Sequence, residues 1–226
     1  MKIAIVMPCT DSLPTESAMS LLALQSFLLT HPVDEDQELN VMVEQSSLLV
    51  QSRQNLAQRA LDWGADWILM LDSDMIFPAD VFHRLARNGK PIVACNYVKR
   101  TIPTTPVSRK LDNKFLITNK DSTGLEEAKF TGFGVCLIAA DVFRKIDKPW
   151  FDTVWMEDKE KNTVECLGED VFFFEKVRHF LGQPLWIDHD TSKSVGHIGM
   201  FIYENNLAEV VKEEIDDEEL KVSLYG

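Results

Sequence analysis

The chain has 226 residues, of which 45% are hydrophobic, and this is enough apolar material for one α/β domain with a sizeable core. The formal net charge of −13 disfavours extended contact with a nucleic-acid phosphate backbone, although a local basic patch is compatible with it. The first apolar run ends at Pro8, and no early segment has the pattern of a secretion signal. We therefore expect a cytoplasmic protein without a transmembrane segment.

Apolar runs typical of strands alternate with segments of helical periodicity. This alternation predicts a single-domain α/β fold with a mostly parallel central sheet and helices on both faces. The predicted strands are residues 2–7, 40–43, 67–71, 91–95, 135–140 and 185–187, and the predicted helices are 17–29, 51–63, 78–87 and one that begins near 169. We assign the domain to residues 1–207, followed by an acidic helix or tail at 208–226.

The segment between residues 98 and 125 is irregular, contains Pro103 and Pro106, and carries a basic cluster that includes Lys99 and Arg100. A long loop or hairpin of this kind is a natural lid over a binding site. The four cysteines show no Cys-x-x-Cys pairing, which favours free thiols in a reducing compartment; they are Cys9, Cys95, Cys136 and Cys166.

Two carboxylates close the most apolar strand of the chain, because residues 67–71 are followed by Asp72, Ser73 and Asp74. An unpaired charge is costly at the end of a buried strand, and two hard oxygen ligands one residue apart suit Mg²⁺ or Mn²⁺. The same pattern also occurs where acidic residues open a turn. A divalent cation and a turn are both compatible with the motif.

A second acidic pair, Glu169 and Asp170, follows Gly168 at the start of a predicted helix. Acidic residues at a helix N-terminus are also expected for capping and dipole reasons. His197 lies beyond the last predicted strand, where a neutral imidazole can complete a metal site begun by carboxylates.

Taken in order, these features resemble the GT-A glycosyltransferases, in particular the small family-2-like enzymes of bacteria and their phages. The resemblance covers about residues 2–199. Its parts are a loop at 7–10 after the first strand, the helix with Arg53 and Asn55, the Asp72 to Asp74 motif, the turn at 132–134, the pair Glu169 and Asp170, and His197.

The resemblance implies a transferase that moves a sugar from a nucleotide-diphosphate donor to an acceptor hydroxyl. It implies Asp74 and His197 as direct ligands of Mn²⁺ or Mg²⁺, with Asp72 completing the set or holding ligand waters and the donor ribose. The other residues that it implies on the donor side are Pro8, Cys9, Thr10, Arg53, Asn55 and Ser73, with Lys99 and Arg100 near the phosphates.

The acceptor hydroxyl must lose a proton as it attacks, and a carboxylate opposite the leaving group can accept that proton. We take Asp170 as the base and Glu169 as the close alternative. A base in line with the leaving group gives an inverted product, although retaining enzymes share the fold.

The sequence leaves the substrates open. A UDP-sugar is expected ahead of a GDP-sugar by analogy between folds, and the acceptor is a saccharide, a lipid carrier, a protein or a modified DNA base. The acidic charge favours a saccharide. Three aromatic residues in a less regular region, Trp150, Phe151 and Trp155, belong to the core or stack on a sugar, with the core favoured. The sequence does not indicate an oligomeric state.

Two alternatives remain. In a haloacid-dehalogenase-like Mg²⁺-dependent phosphatase Asp72 would be the nucleophile, but that family places its Asp pair after the first strand, and His197 would have no role. The other alternative is a nucleotide-sugar-binding domain without turnover, which would not need to keep every acidic residue and His197.

Overall fold

A seven-stranded mixed sheet forms the centre of the protein in a computed structural model, which describes residues 1–158 and 163–210. The strands of the protein are β1 (Lys2–Cys9), β2 (Glu38–Gln45), β3 (Trp67–Leu71), β4 (Met75–Ile76), β5 (Ile92–Ala94), β6 (Leu125–Ala128), β7 (Val135–Ala139), β8 (Val154–Asp158), β9 (Thr163–Leu167), β10 (Leu185–Asp188), β11 (Gly196–Ile198) and β12 (Ile202–Glu204). The helices are α1 (Thr15–Thr30), α2 (Leu49–Trp63), α3 (Val81–Ala86), α4 (Ala140–Arg144), α5 (Glu169–Leu181) and α6 (His189–Ser192), and a 3₁₀ helix covers Asn205–Val210. The acidic segment predicted at 208–226 lies outside the described residues from 211 onward.

The strand order of the central sheet is β2-β1-β3-β7-β5-β10-β6. Strands β2, β1, β3, β5 and β10 run in one direction, whereas β7 and β6 run in the opposite direction. The prediction of an α/β domain is confirmed. The expectation of a mostly parallel sheet is met only in part, because three of the six neighbouring strand pairs are parallel and three are antiparallel. The two reversed strands were not foreseen, since the local pattern of a buried strand carries no direction.

Side chains alternate between the two faces of the sheet, and helices cover both of them. On β1, Ala4 and Val6 pack into one cluster, whereas Ile3, Ile5 and Met7 pack into the other. Helices α2 and α5 contribute to the first cluster, and α1 and α3 contribute to the second. The prediction of helices on both faces is therefore confirmed.

A small three-stranded sheet, ordered β12-β11-β4, lies beside the central one and contains His197. Strands β8 and β9 form a separate two-stranded hairpin. The sequence had shown neither the short strand β4 nor this hairpin, since their few residues give too little alternation to recognise.

Much of the segment at 98–125, which was predicted to be a lid, is packed into the protein. Leu116 and Ser108 are fully buried, and the Ser108 and Thr131 hydroxyls lie 2.7 Å apart. Only its first part, residues 99–103, is continuously exposed. The exposed part contains Lys99 and Arg100.

A cluster of aromatic rings fills the space under α5. Phe133 contacts the rings of Phe151, Phe173 and Phe174, with centroid separations of 5.2 to 5.5 Å. Trp150 is 3% exposed and Phe151 1%, which confirms their assignment to the core, whereas Trp155 is 69% exposed.

The four cysteines are free, and Cys166 is exposed whereas the other three are buried. Among the helices in the described ranges, none has both the length and the apolar character needed to cross a bilayer.

Replacing Phe173 with Ala should lower the free energy of unfolding by about 3 to 5 kcal/mol, because this side chain is fully buried among aromatic rings. Phe180→Ala on the same helix is the matched control, since Phe180 is 56% exposed, and should change stability by less than about 0.5 kcal/mol. Urea unfolding measures both values. Equal losses in the two variants would contradict the assigned core.

Candidate functional site

The carboxyl ends of β1 and β3 meet at one edge of the central sheet. Val6 of β1 is the partner of Met70 of β3, so that Pro8 and Asp72 lie at the same height two residues further along. Cys9 and Thr10 extend this end of β1, where the Cys9 thiol donates a hydrogen bond to the Ser12 carbonyl oxygen at 3.3 Å. The predicted donor-side loop and the acidic motif are thus neighbours.

Arg53 lies at the centre of the site. Its guanidinium donates from Nη2 to Asp72 Oδ1 at 2.6 Å and from Nε to Glu169 Oε1 at 3.1 Å. The same group lies 4.9 Å from the centre of the Phe133 ring. One side chain of α2 therefore joins the end of β3 to the start of α5.

Burial alone would disfavour the charge of Arg53, which is 2% exposed. The negative charges of Asp72 and Glu169 outweigh that effect, and the pKa of Arg53 is raised above its ordinary value. Its Nη1 atom is buried without a hydrogen-bond partner among the described residues. The two carboxylates are therefore the counterions that allow this charge inside the protein.

The adjacent carboxylates Glu169 and Asp170 have different environments. Glu169 pairs with Arg53, whereas burial, followed by the negative charge of Glu169, raises the pKa of Asp170 to about 6. The backbone N–H of Val171 donates to Asp170 Oδ1 at 2.7 Å and opposes part of this rise. Asp170 can therefore exchange a proton near neutral pH.

Tyr97 is a residue of the site that the sequence analysis missed. Its hydroxyl oxygen accepts a hydrogen bond from the Gly134 backbone N–H at 3.2 Å, and its ring meets that of His197 edge-on at 5.3 Å. Burial, and then the charges of Asp72 and Asp170, hold the pKa of Tyr97 well above its usual range. Tyr97 therefore stays protonated between the acidic residues and His197.

The turn at 132–134 was a signal for this close approach. A Cβ atom on Gly134 would lie 2.7 Å from the Tyr97 ring, and one on Gly132 would overlap its hydroxyl oxygen. Two glycines that flank a buried phenylalanine indicate that another group approaches the backbone there, although not which group.

Asp74 and His197 form the second part of the site. Strand β11 pairs with β4, and the Ile198 N–H donates to the Asp74 carbonyl oxygen at 2.7 Å, which fixes the two residues opposite each other. His197 Nε2 lies 3.3 Å from Asp74 Oδ2, and Arg100 Nη1 lies 3.0 Å from the same oxygen. Burial opposes the charge of Asp74, but the hydrogen bond and charge of His197, with Arg100, lower the pKa of Asp74.

The contact of His197 Nδ1 determines which tautomer the neutral imidazole adopts. Nδ1 lies 2.9 Å from the Val98 carbonyl oxygen, which can only accept, so Nδ1 carries a proton and donates it. In the neutral ring, Nε2 is then an acceptor that faces the acceptor Asp74 Oδ2. Two facing acceptors need a proton or a cation between them, and imidazole with carboxylate is a common donor set for Mn²⁺.

The expected trio of ligands is not brought together, because Asp72 is bound to Arg53. Within residues 1–158 and 163–210, no group of three or more His, Cys, Asp or Glu side chains lies close enough to hold a metal ion. Of the three predicted ligands, Asp74 and His197 are the two that lie together, 3.3 Å apart, and the metal site itself stays a prediction.

The remaining predicted residues lie around this centre. Asn55 donates to Glu44 Oε1 at 2.9 Å and accepts from Gln51 at 2.7 Å, so it faces the end of β2. Ser73 is half-buried and Lys99 is exposed. Nothing in these contacts distinguishes the three from ordinary surface residues.

The fold and the site define an α/β protein with an ionic centre at the carboxyl ends of its strands. The fold is similar to that of A197 from STIV, with a TM-score of 0.57 over 88% of this chain and 86% of that chain, at 17% sequence identity. No family model and no curated protein sequence matches the chain. At such a low identity the similarity shows a shared fold alone.

Replacing Arg53 with Met should lower the free energy of unfolding by about 3 to 5 kcal/mol, because it leaves Asp72 and Glu169 without their shared counterion. Arg59→Met is the matched control on the same helix, since Arg59 is half exposed at 3.7 Å from Glu44, and should cost less than about 1 kcal/mol. Urea unfolding at pH 7 compares the two variants. A loss no larger than that of the control would contradict the central role of Arg53.

Asp170→Asn should stabilise the protein at pH 7 and have little effect at pH 4. The pKa of Asp170 in the folded protein, about 6, lies above the ordinary value of 3.8, so the folded state binds this proton more tightly than the unfolded chain does. The stability that the proton supplies is lost as the pH rises through 6, and Asn avoids that loss, giving a gain of about 1 to 3 kcal/mol. Unfolding curves from pH 4 to 8 test this, and a pH-independent difference would contradict it.

Proposed function

We propose that the protein is a metal-dependent glycosyltransferase of the GT-A type, which transfers a sugar from a nucleotide-diphosphate sugar to an acceptor hydroxyl. The observation that carries this proposal is the pair Asp74 and His197, two predicted metal ligands whose Oδ2 and Nε2 atoms lie 3.3 Å apart. A carboxylate with a pKa of about 6, Asp170, belongs to the same ionic centre. Together these residues would provide two ligands for a divalent cation and one proton acceptor.

The donor is expected along the carboxyl ends of β1 and β3. When bound by Asp74 and His197, Mn²⁺ or Mg²⁺ would supply the positive charge that stabilises a departing diphosphate. Lys99 and Arg100 lie in the exposed part of the neighbouring segment and add cationic character there. Asp72, fixed by Arg53, is available through its second carboxylate oxygen to accept a hydrogen bond from the donor ribose.

The acceptor side is assigned to Asp170. Its pKa of about 6 means that much of it is ionised at neutral pH, while it is still basic enough to take a hydroxyl proton. Glu169 is less suited to this role, because Arg53 holds one of its oxygens at 3.1 Å. If Asp170 acts in line with the leaving group, the product has inverted configuration at the sugar carbon.

Arg53 and Tyr97 act through other residues. Arg53 orients Asp72 and neutralises Glu169, which leaves Asp170 as the carboxylate of the pair without that ion pair. Tyr97 packs between the two parts of the site and fixes the edge of the His197 ring. Both are positioning residues.

The donor site is tested by titrating the protein with UDP, GDP, CDP and dTDP and their sugar conjugates, with and without Mn²⁺, while the melting temperature is recorded. One nucleotide, with UDP expected first, should stabilise the protein only when Mn²⁺ is present. Asp74→Ala and His197→Ala should abolish that stabilisation, and the control Asp112→Ala, at an exposed loop position, should retain it. Unchanged donor binding in both metal-site variants would overturn the assignment.

Asp170→Asn should keep metal-dependent donor binding and lose turnover by about 10²- to 10⁴-fold, the usual contribution of a general base. Donor hydrolysis in the absence of an acceptor provides a turnover assay that needs no acceptor. A variant that retains full turnover would show that Glu169 or another group is the base.

A further inference from the structure

The hairpin formed by β8 and β9 presents one face that nothing in the described residues covers. Trp155 and Cys166 are partners across the hairpin, as are Glu157 and Val164, so these four side chains lie on the same face. Trp155 is 69% exposed and Val164 61%, and Cys166 and Glu157 are also exposed. We refer to these four residues as the hairpin face.

On the opposite face the base of the hairpin is covered, because Leu167, the ladder partner of Val154, is 6% exposed. Trp155 follows Val154 in the strand and therefore lies on the other face. A tryptophan in this position retains a large apolar surface that is available for binding.

The hairpin face is close to the proposed base. Strand β9 ends at Leu167, and Asp170 follows in the first turn of α5. Cys166 and Asp170 are four positions apart in the chain, so their Cα atoms lie at most about 14 Å apart. A Cβ atom on Gly168, the residue between β9 and α5, would lie 2.6 Å from Asp170 Oδ1, so the Asp170 carboxyl group lies over the start of its own helix.

The chemistry of this face favours a saccharide over other occupants. An aromatic ring stacks on the apolar face of a pyranose, and a carboxylate such as that of Glu157 accepts hydrogen bonds from sugar hydroxyls. The net charge of −13 and Glu157 itself oppose lipid phosphates and nucleic acid. Pairing with a second copy through the same face would bury the Glu157 carboxylate of each copy in the contact, which is unfavourable without a counterion.

We propose that the hairpin face binds the acceptor and that the acceptor is a saccharide, whose sugar ring stacks on Trp155 while a hydroxyl reaches Asp170. The assignment of this saccharide as an acceptor rests on the proposed glycosyltransferase function. Saccharide binding at the hairpin face is independent of that function and can be measured without a donor.

Cys166 provides the measurement, because it is the exposed thiol among the four cysteines and lies opposite Trp155 in the hairpin. The rate at which the intact protein reacts with 5,5′-dithiobis(2-nitrobenzoate) is followed with maltohexaose, cellohexaose and chitohexaose present at increasing concentration. At least one saccharide should slow the reaction in a saturable way. Cys166→Ser should remove the fast reaction and confirms that this thiol is observed.

Trp155→Ala should raise the half-protecting saccharide concentration by about 3- to 10-fold, the range expected for one stacked ring. Phe180→Ala, which removes an exposed aromatic ring elsewhere, should leave that concentration unchanged. Protection equal in Trp155→Ala and wild type would overturn the proposal, as would protection by phosphatidylglycerol vesicles or single-stranded DNA in place of saccharides. Protection that depends on protein concentration alone would indicate a second copy and would overturn the proposal. The absence of protection by all three saccharides would overturn it as well.

Donor binding and saccharide protection, measured on the wild type and on Trp155→Ala, distinguish a failure of the acceptor site from a failure of the transferase proposal. Trp155→Ala should retain Mn²⁺-dependent stabilisation by the donor nucleotide, because Trp155 lies on the acceptor side. If the wild type shows saccharide protection without any donor binding, the transferase proposal fails and the saccharide site remains.

Discussion

The buried guanidinium of Arg53 is the interaction on which the rest of the site depends. A charge at 2% exposure is stable only with counterions, and Asp72 and Glu169 supply them from segments that are 19 and 116 residues away in the chain. Meeting this requirement fixes the end of β3 against the start of α5. Glu169 is bound to Arg53, and the next carboxyl group, Asp170, lies partly buried beside the charge of Glu169, so that its pKa rises.

Much of the fold could be predicted from the sequence, because the strong signals are local. The apolar run at β3 and the periodicity of α2 and α5 depend on neighbouring residues, and all three elements lie where they were expected. The direction of β7 and its insertion between β3 and β5 depend on pairing between distant segments. Such pairing leaves no trace in a single strand, since both faces of a central strand are equally apolar.

The carboxylates and the imidazole of the candidate site could be picked out from the sequence, but the contacts between them could not. Asp72, Asp74, Asp170 and His197 stand out as polar residues at the ends of apolar segments, and the structure pairs Asp74 with His197 and joins Asp72 to Glu169 through Arg53. Tyr97 was missed because it follows an apolar strand and, as an aromatic residue, is expected in the core, where its exposure of 5% places it. Its role appears only through the glycines of another segment, Gly132 and Gly134, which leave space for its ring.

Arg53 contacts Asp72 and Arg100 contacts Asp74. The two arginines differ in burial, and this difference gives Asp72 and Asp74 different roles. Arg53 is buried, so removing it from Asp72 would leave charges without partners inside the protein. The Arg100 side chain is 49% exposed, and its pairing with Asp74 is of the kind that contributes about 0 to 1 kcal/mol. Asp74 can therefore exchange Arg100 for a stronger positive partner at small cost, whereas Asp72 cannot exchange Arg53. In the proposed transferase this difference assigns cation binding to Asp74 with His197, and it leaves Arg100 free to contact the phosphates of the donor.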